Sequence, residues 1–262
     1  MSVVGVLDLF RIGIGPSSSH TVGPMRAARR FAEAVVTTEA PVSGVRVQLF
    51  GSLGATGVGH GTVPAVVLGL SGAEPERIDP DEIVSVVDDV RASGRLHLAG
   101  AAEIAFDVER DVVLAPDELL PGHPNGMRFT AIGPDGDVSM CSEYYSIGGG
   151  FVATADELDA PIRSADQQPL PHPFRTAAEL VATCRAHGMS VAELALANER
   201  ARRPDDDVRT ALAAIWRAMR RCVDRGCATD GVLPGGLGVQ RRAAAMHRSL
   251  TSRVGSADPL TA

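Results

Sequence analysis

The sequence predicts an α+β fold, a layered strand-and-helix region followed by a helical segment. Three observations carry that expectation. A strand, a glycine-rich stretch and an apolar helix follow one another early in the chain; Gly133-Pro134-Asp135-Gly136 joins two strand-like runs; and two helix-capping sequences succeed each other after residue 175. At 262 residues and 45% hydrophobic content the chain can bury a substantial core, with a boundary expected near residue 165 (1–165 and 166–262).

The first element is a helix over Met25 to Val36, entered through Gly13-Ile14-Gly15-Pro16-Ser17-Ser18-Ser19-His20-Thr21-Val22-Gly23-Pro24. Thr21 suits the N-cap and Pro24 an early helical position, where its missing N–H costs nothing. Free N–H groups, the helix dipole and three serine hydroxyls then converge, which is a setting for a carboxylate or phosphate, or simply a well-capped helix.

Val45, Val47 and Leu49 alternate with Arg46 and Gln48, the period of a half-buried strand. The strand leads into a second glycine-rich loop, Gly51 to Thr62, with an apolar helix beginning near Pro64. Asp79 to Ser93 reads as an amphipathic helix, and Glu103 to Asp107 and Val112 to Leu114 as short strands. Met127 to Ile132 and Val138 to Tyr145 form a β-hairpin about the Gly-Pro-Asp-Gly turn. The proline- and glutamine-rich stretch Ala160 to Pro173 reads as a linker. Thr176-x-x-Glu179 and Ser190-x-x-Glu193 are capping boxes opening two helices. A longer helix from Asp205 carries Leu212, Ile215, Trp216 and Met219 on one face before Gly226, and a last helix lies around Arg241 to Leu250.

Composition removes several function classes. The net charge is −7 and no basic cluster is interleaved with aromatics, which argues against nucleic acid. No apolar run approaches the roughly 20 residues of a membrane span, and the start of the chain does not read as a signal segment, so a cytoplasmic protein without a membrane partner is expected. Cys141, Cys184, Cys222 and Cys227 lack disulfide-framework or zinc spacing and read as reduced, mostly buried thiols. The chain contains no lysine, which excludes a pyridoxal-phosphate Schiff base and a P-loop within it.

Polar chemistry gathers in four short motifs: Ser17-Ser18-Ser19-His20-Thr21, Gly59-His60-Gly61-Thr62, His123-Pro124-Asn125-Gly126 and Tyr144-Tyr145. His20, His60 and His123 suit general bases, metal ligands or capping residues alike. Asn125 suits an Asx turn, and the tyrosines suit ordinary hairpin positions.

These motifs, with Tyr-Tyr-Ser-Ile-Gly-Gly-Gly-Phe and Val-Leu-Pro-Gly-Gly-Leu-x-Val-x-Arg-Arg, occur in an order that closely resembles the bacterial iron-sulfur-dependent L-serine dehydratases over essentially the whole chain. The resemblance implies an N-terminal α/β sandwich, similar to the small-molecule-binding domain of some phosphoglycerate dehydrogenases, and a helical α domain. It implies deamination of L-serine to pyruvate and ammonia without pyridoxal phosphate, an iron of a [4Fe-4S] cluster assisting loss of the β-hydroxyl. By motif, His60 is the implied base. Ser17, Ser18, Ser19, His20, Thr21, His123, Asn125 and Tyr144 are implied to bind substrate or shape its pocket. The chain departs from the pattern in stopping soon after Pro-Gly-Gly, with none of its four cysteines at the family's ligand positions. A β domain plus the first helices of an α domain, inactive without the missing α region or subunit, is therefore expected; a homodimer stays open. The competing expectation is a non-catalytic amino-acid-binding or assembly domain.

Overall fold

The computed structural model describes residues 5–38, 40–158, 169–234 and 237–254. They fall into two compact units: Gly13–Pro161 with Leu233–Val239, and Met1–Ile12 with Ile162–Val232 and Gln240–Ala262. The boundary expected near residue 165, and most of the Ala160 to Pro173 linker, lie outside the described residues.

The first element among the described residues is a one-turn helix, α1 (Val6–Leu9), of the second unit. The sheet unit then starts with a π-helical turn, Ser18–Val22, which runs directly into α2 (Gly23–Thr37). Next come β1 (Gly44–Phe50), α3 (Gly51–His60), α4 (Thr62–Leu70) and α5 (Ile83–Ser93). The remaining sheet elements are β2 (Arg95–Leu98), β3 (Ala102–Ala105), α6 (Val108–Asp111), β4 (Val112–Ala115), β5 (Gly126–Ile132), β6 (Val138–Ser146), β7 (Val152–Ala153) and α7 (Ala155–Leu158).

β1 is the centre of a mixed sheet of order β2-β3-β1-β5-β6-β7. β5 lies antiparallel along one of its edges. The other edge is shared by two parallel neighbours: β3 at Gly44, and β4 from Val47 to Phe50. The short α6, capped by Asp107 through the N–H groups of Glu109 and Arg110, separates those two. Val45, Val47 and Leu49 point from β1 into a core completed by Phe31, Val66, Leu68, Leu96 and Phe129. Gly69 lets α4 approach α2: a side-chain carbon there would collide with the Met25 carbonyl and lie 2.8 Å from Ala28 Cβ. A smaller cluster gathers Phe50, Ala115, Leu120 and Tyr145.

The second glycine-rich segment is not a loop. Gly51 to His60 is helical, a single residue, Gly61 at φ 65°, turning the chain into α4. Glycines are poor helix formers, but Gly51, Leu53, Gly54 and Gly57 are buried. Gly54 lies so close to the Leu49 carbonyl and to Ala115 and Pro116 that no side chain fits there. Tertiary packing thus overrides propensity. Among the described residues no single helix is long and apolar enough to cross a membrane; α3 and α4 pass that test only jointly, bent by 94°, and much of the pair is buried.

The second unit contains α1 and the helices α8 (Ala177–His187), α9 (Val191–Arg202), α10 (Asp205–Ala228) and α11 (Ala243–Val254). Ser190 and Glu193 form the full capping box. At α8 only the Thr176 half forms, because Glu179 Oε2 accepts instead from the Arg175 N–H at 2.6 Å. α10 runs through Gly226, and Trp216 and Met219 are exposed. The thiols differ from expectation too: Cys184 is buried, whereas Cys141 and Cys222 are exposed and Cys227 is intermediate.

Candidate active site

Pro24 shapes the entrance to α2. It has no N–H to give the carbonyls four and five residues back, His20 and Ser19. Buried carbonyls need donors, and hydroxyls from distant segments supply them: Thr62 Oγ1 donates to His20 O at 2.6 Å and Ser146 Oγ to Ser19 O at 2.7 Å. Ser146 reaches that carbonyl because position 23 is glycine; a side chain there would occupy the space of its hydroxyl. A proline in the first turn therefore draws the start of α4 and the end of β6 onto one spot.

Ser17, not Thr21, is the cap. Its backbone is extended, its hydroxyl accepts from the His20 N–H at 3.2 Å, and its carbonyl accepts from the Thr21 and Val22 N–H groups. Thr21 lies inside the π-helical turn with its hydroxyl donating to His60 O at 2.8 Å. With Thr62 on His20 O this makes a reciprocal clasp, each threonine holding the backbone of the other segment's histidine.

The clasp brings the two rings to 4.7 Å between centroids, tilted by 38°. His20 is hydrogen-bonded at both ring nitrogens, Nδ1 to Ser19 Oγ and Nε2 to Ser52 Oγ, each at 2.9 Å. Hydroxyls can donate or accept, so either tautomer is satisfied. Burial lowers the His20 pKa below the usual histidine value, as does the charge of His60, while a hydrogen bond at Ser52 opposes them. His60 is bonded differently. Its Nδ1 lies 3.0 Å from the Thr56 carbonyl, which can only accept, so Nδ1 carries the proton and the neutral ring keeps its lone pair on Nε2.

His123 and Asn125 build the adjoining wall. His123 Nδ1 accepts from the Asn125 N–H at 3.1 Å, and Asn125 Nδ2 donates to Ser146 O at 3.1 Å. The Pro124 carbonyl accepts from the Ser52 N–H at 3.1 Å, tying this loop to the first turn of α3. Leu237 lies against Gly59, one residue from His60.

Ser17, Ser19, His20, Thr21, His60, His123 and Asn125 are thus joined by hydrogen bonds or ring contact. Ser18 is exposed beside them. Tyr144 is not brought in: it is buried in the core at an edge of Phe129, and Arg30 lies over its ring. Burial raises its pKa. The sequence motifs assign no site role to Ser52, Thr56 or Ser146, and Thr62 stands in Gly59-His60-Gly61-Thr62 without one. For the first two the signal was the four-residue spacing up to His60, hidden while the segment read as a loop. A metal centre on the histidines finds no support: among the described residues no three His, Cys, Asp or Glu side chains converge.

Residues 5–157 match the family model described as the serine dehydratase beta chain. The chain is 50% identical over 251 residues to an L-serine dehydratase of Streptomyces coelicolor, covering 95% of this chain and 55% of that protein. It is 43% identical over 253 residues to an L-serine dehydratase of Mycobacterium bovis, at 95% and 54% coverage. It is 42% identical over 258 residues to L-serine dehydratase 2 of Escherichia coli, at 96% and 55%. The chain spans about half the length of these relatives.

Proposed function

The chain belongs to the serine dehydratase beta-chain family, and from that premise we propose that it supplies the proton-transfer and carboxylate-binding side of an L-serine ammonia-lyase, which converts L-serine to pyruvate and ammonia. The observation that carries this reading is the His60 ring. Its Nδ1–H is committed to the Thr56 carbonyl, so the opposite nitrogen is available to take the α-proton of the substrate. The hydroxyls of Ser17 and Ser19, at the positive end of α2, suit the substrate carboxylate. His123 and Asn125 hold the adjoining wall through Ser146.

As the α-proton passes to His60 Nε2, the electron pair of the Cα–H bond forms the Cα=Cβ bond and the β-hydroxyl leaves, taking up the proton that His60 releases to become water. The resulting enamine rearranges to an imine, which water converts to pyruvate and ammonia. His20 stays uncharged beside His60 as that ring gains the proton, since burial and the neighbouring charge both disfavour a second cation. A [4Fe-4S] cluster does not fit the described residues, whose cysteines do not converge. Proton abstraction and carboxylate binding are the chemistry these residues offer.

Pyruvate release from L-serine tests the reading, measured on the chain alone and assembled with the part of a relative that the match leaves out. Turnover is expected in the assembled protein, with His60→Gln lowering kcat by about 10²–10⁴-fold, the usual contribution of a general base. Near-normal turnover in His60→Gln removes His60 as the base. Serine binding without turnover in any assembly supports an amino-acid-binding role instead.

A further inference from the structure

We propose that Ser52 is a positioning residue for this site: its hydroxyl holds the Nε2 edge of His20 and so fixes that ring as the neighbour of His60. The catalytic meaning of the inference rests on the reading of His60 as the base; its geometry does not.

Ser52, Thr56 and His60 succeed one another at four-residue intervals along α3, which places them on one face of the helix. The Ser52 hydroxyl meets His20 Nε2 at 2.9 Å and the Thr56 carbonyl meets His60 Nδ1 at 3.0 Å, so a single helix holds both imidazoles by their edges. Thr56 Oγ1 also donates to Ser52 O at 2.8 Å, linking the two supports. The Ser52 N–H, bonded to the Pro124 carbonyl, anchors the first turn.

The two contacts on the His20 ring are not equivalent. Ser19 is its chain neighbour and moves with it, so their bond cannot fix the ring relative to α3. The bond to Ser52 spans 32 residues and ties the ring to the helix that carries His60. A hydroxyl suits this task because it donates to a bare Nε2 and accepts from a protonated one. The support therefore persists whichever nitrogen of His20 holds the proton. Among the described residues, His60 supplies the charge that acts on His20, and Ser19 and Ser52 contribute neutral hydroxyls.

The consequence is an electrostatic coupling that depends on the Ser52 hydroxyl. At a ring separation of 4.7 Å, the His60 charge lowers the titration midpoint of His20. That coupling can be read from ¹⁵N-histidine spectra of the full chain as a function of pH. Replacing His60 by Gln is expected to raise the His20 midpoint when Ser52 is present and to raise it by much less in Ser52→Ala, with Ser52→Thr restoring the full shift. Should Ser52→Ala disturb the amide spectrum, Ser52→Cys, of similar size and far weaker hydrogen bonding, carries the same comparison. An equal rise with and without the hydroxyl overturns the proposal. Failure of the base reading is separate: it shows as intact turnover in His60→Gln, and leaves this coupling measurable.

Discussion

Replacing Thr62 by Val leaves the shape of a fully buried side chain almost unchanged and deletes the hydroxyl that serves the His20 carbonyl. Pro24, four residues after His20, cannot take over as donor. The bond is short, 2.6 Å, and Thr62 has 0% exposure, so no solvent stands ready to replace it. A buried carbonyl left without its donor costs about 1–3 kcal/mol. For a unit of this size, about 2 kcal/mol corresponds to a fall in Tm of roughly 4–8 °C. The loss should also have a local signature. With one arm of the clasp gone, only the Thr21 hydroxyl still joins a histidine carbonyl to the opposite segment, and the resonances of the His20 and His60 rings should move. Urea and thermal unfolding of the wild type, Thr62→Val and Thr62→Ser measure the effect, Ser keeping the hydroxyl and most of the stability. If Thr62→Val unfolds with the wild type, to within about 0.5 kcal/mol, the account of Pro24 and its surrogate donors is wrong.

Gly69→Ala is expected to destabilise by about 1–3 kcal/mol, because the added carbon meets backbone of α2 that cannot move aside cheaply; denaturant unfolding at wild-type midpoint would contradict this. Acidification should weaken the sheet unit through His20. Its folded pKa is depressed, chiefly by burial and then by His60, so the folded state binds fewer protons than the unfolded one. That contribution is present above the unfolded value of about 6.5 and is lost as pH falls through the lowered one; His20→Gln should flatten the corresponding slope in stability against pH. Glu157 is held at about 2, first by its hydrogen bonds from Arg30 and then by the Thr154 N–H. Its carboxyl carbon should therefore titrate well below an ordinary glutamate by NMR, and return toward the usual range in Arg30→Gln.

The sequence by itself determined the elements whose causes are local. Alternation specified β1, Gly133-Pro134-Asp135-Gly136 specified the β5–β6 hairpin, and Ser190 with Glu193 specified the start of α9. A strand period, a turn or a cap is settled within a few residues. The motifs also singled out most of the groups that come together: Ser17, Ser19, His20, Thr21, His60, His123 and Asn125. Their assembly was decided only in the tertiary structure. Gly51 to His60 becomes a helix because its glycines are pressed against β1 and β4, a packing gain that no local propensity contains. Ser17 replaces Thr21 as the cap because Thr21 is claimed by a carbonyl 39 residues away. Tyr144 turns into the core because its place on β6 faces Phe129 and Arg30. The pairing of His20 with His60, and the support of both by α3, depends on a proline that leaves two carbonyls open and on hydroxyls from remote segments that close them. Burial makes those long-range bonds obligatory, and the chain order alone does not say which hydroxyl will make each one.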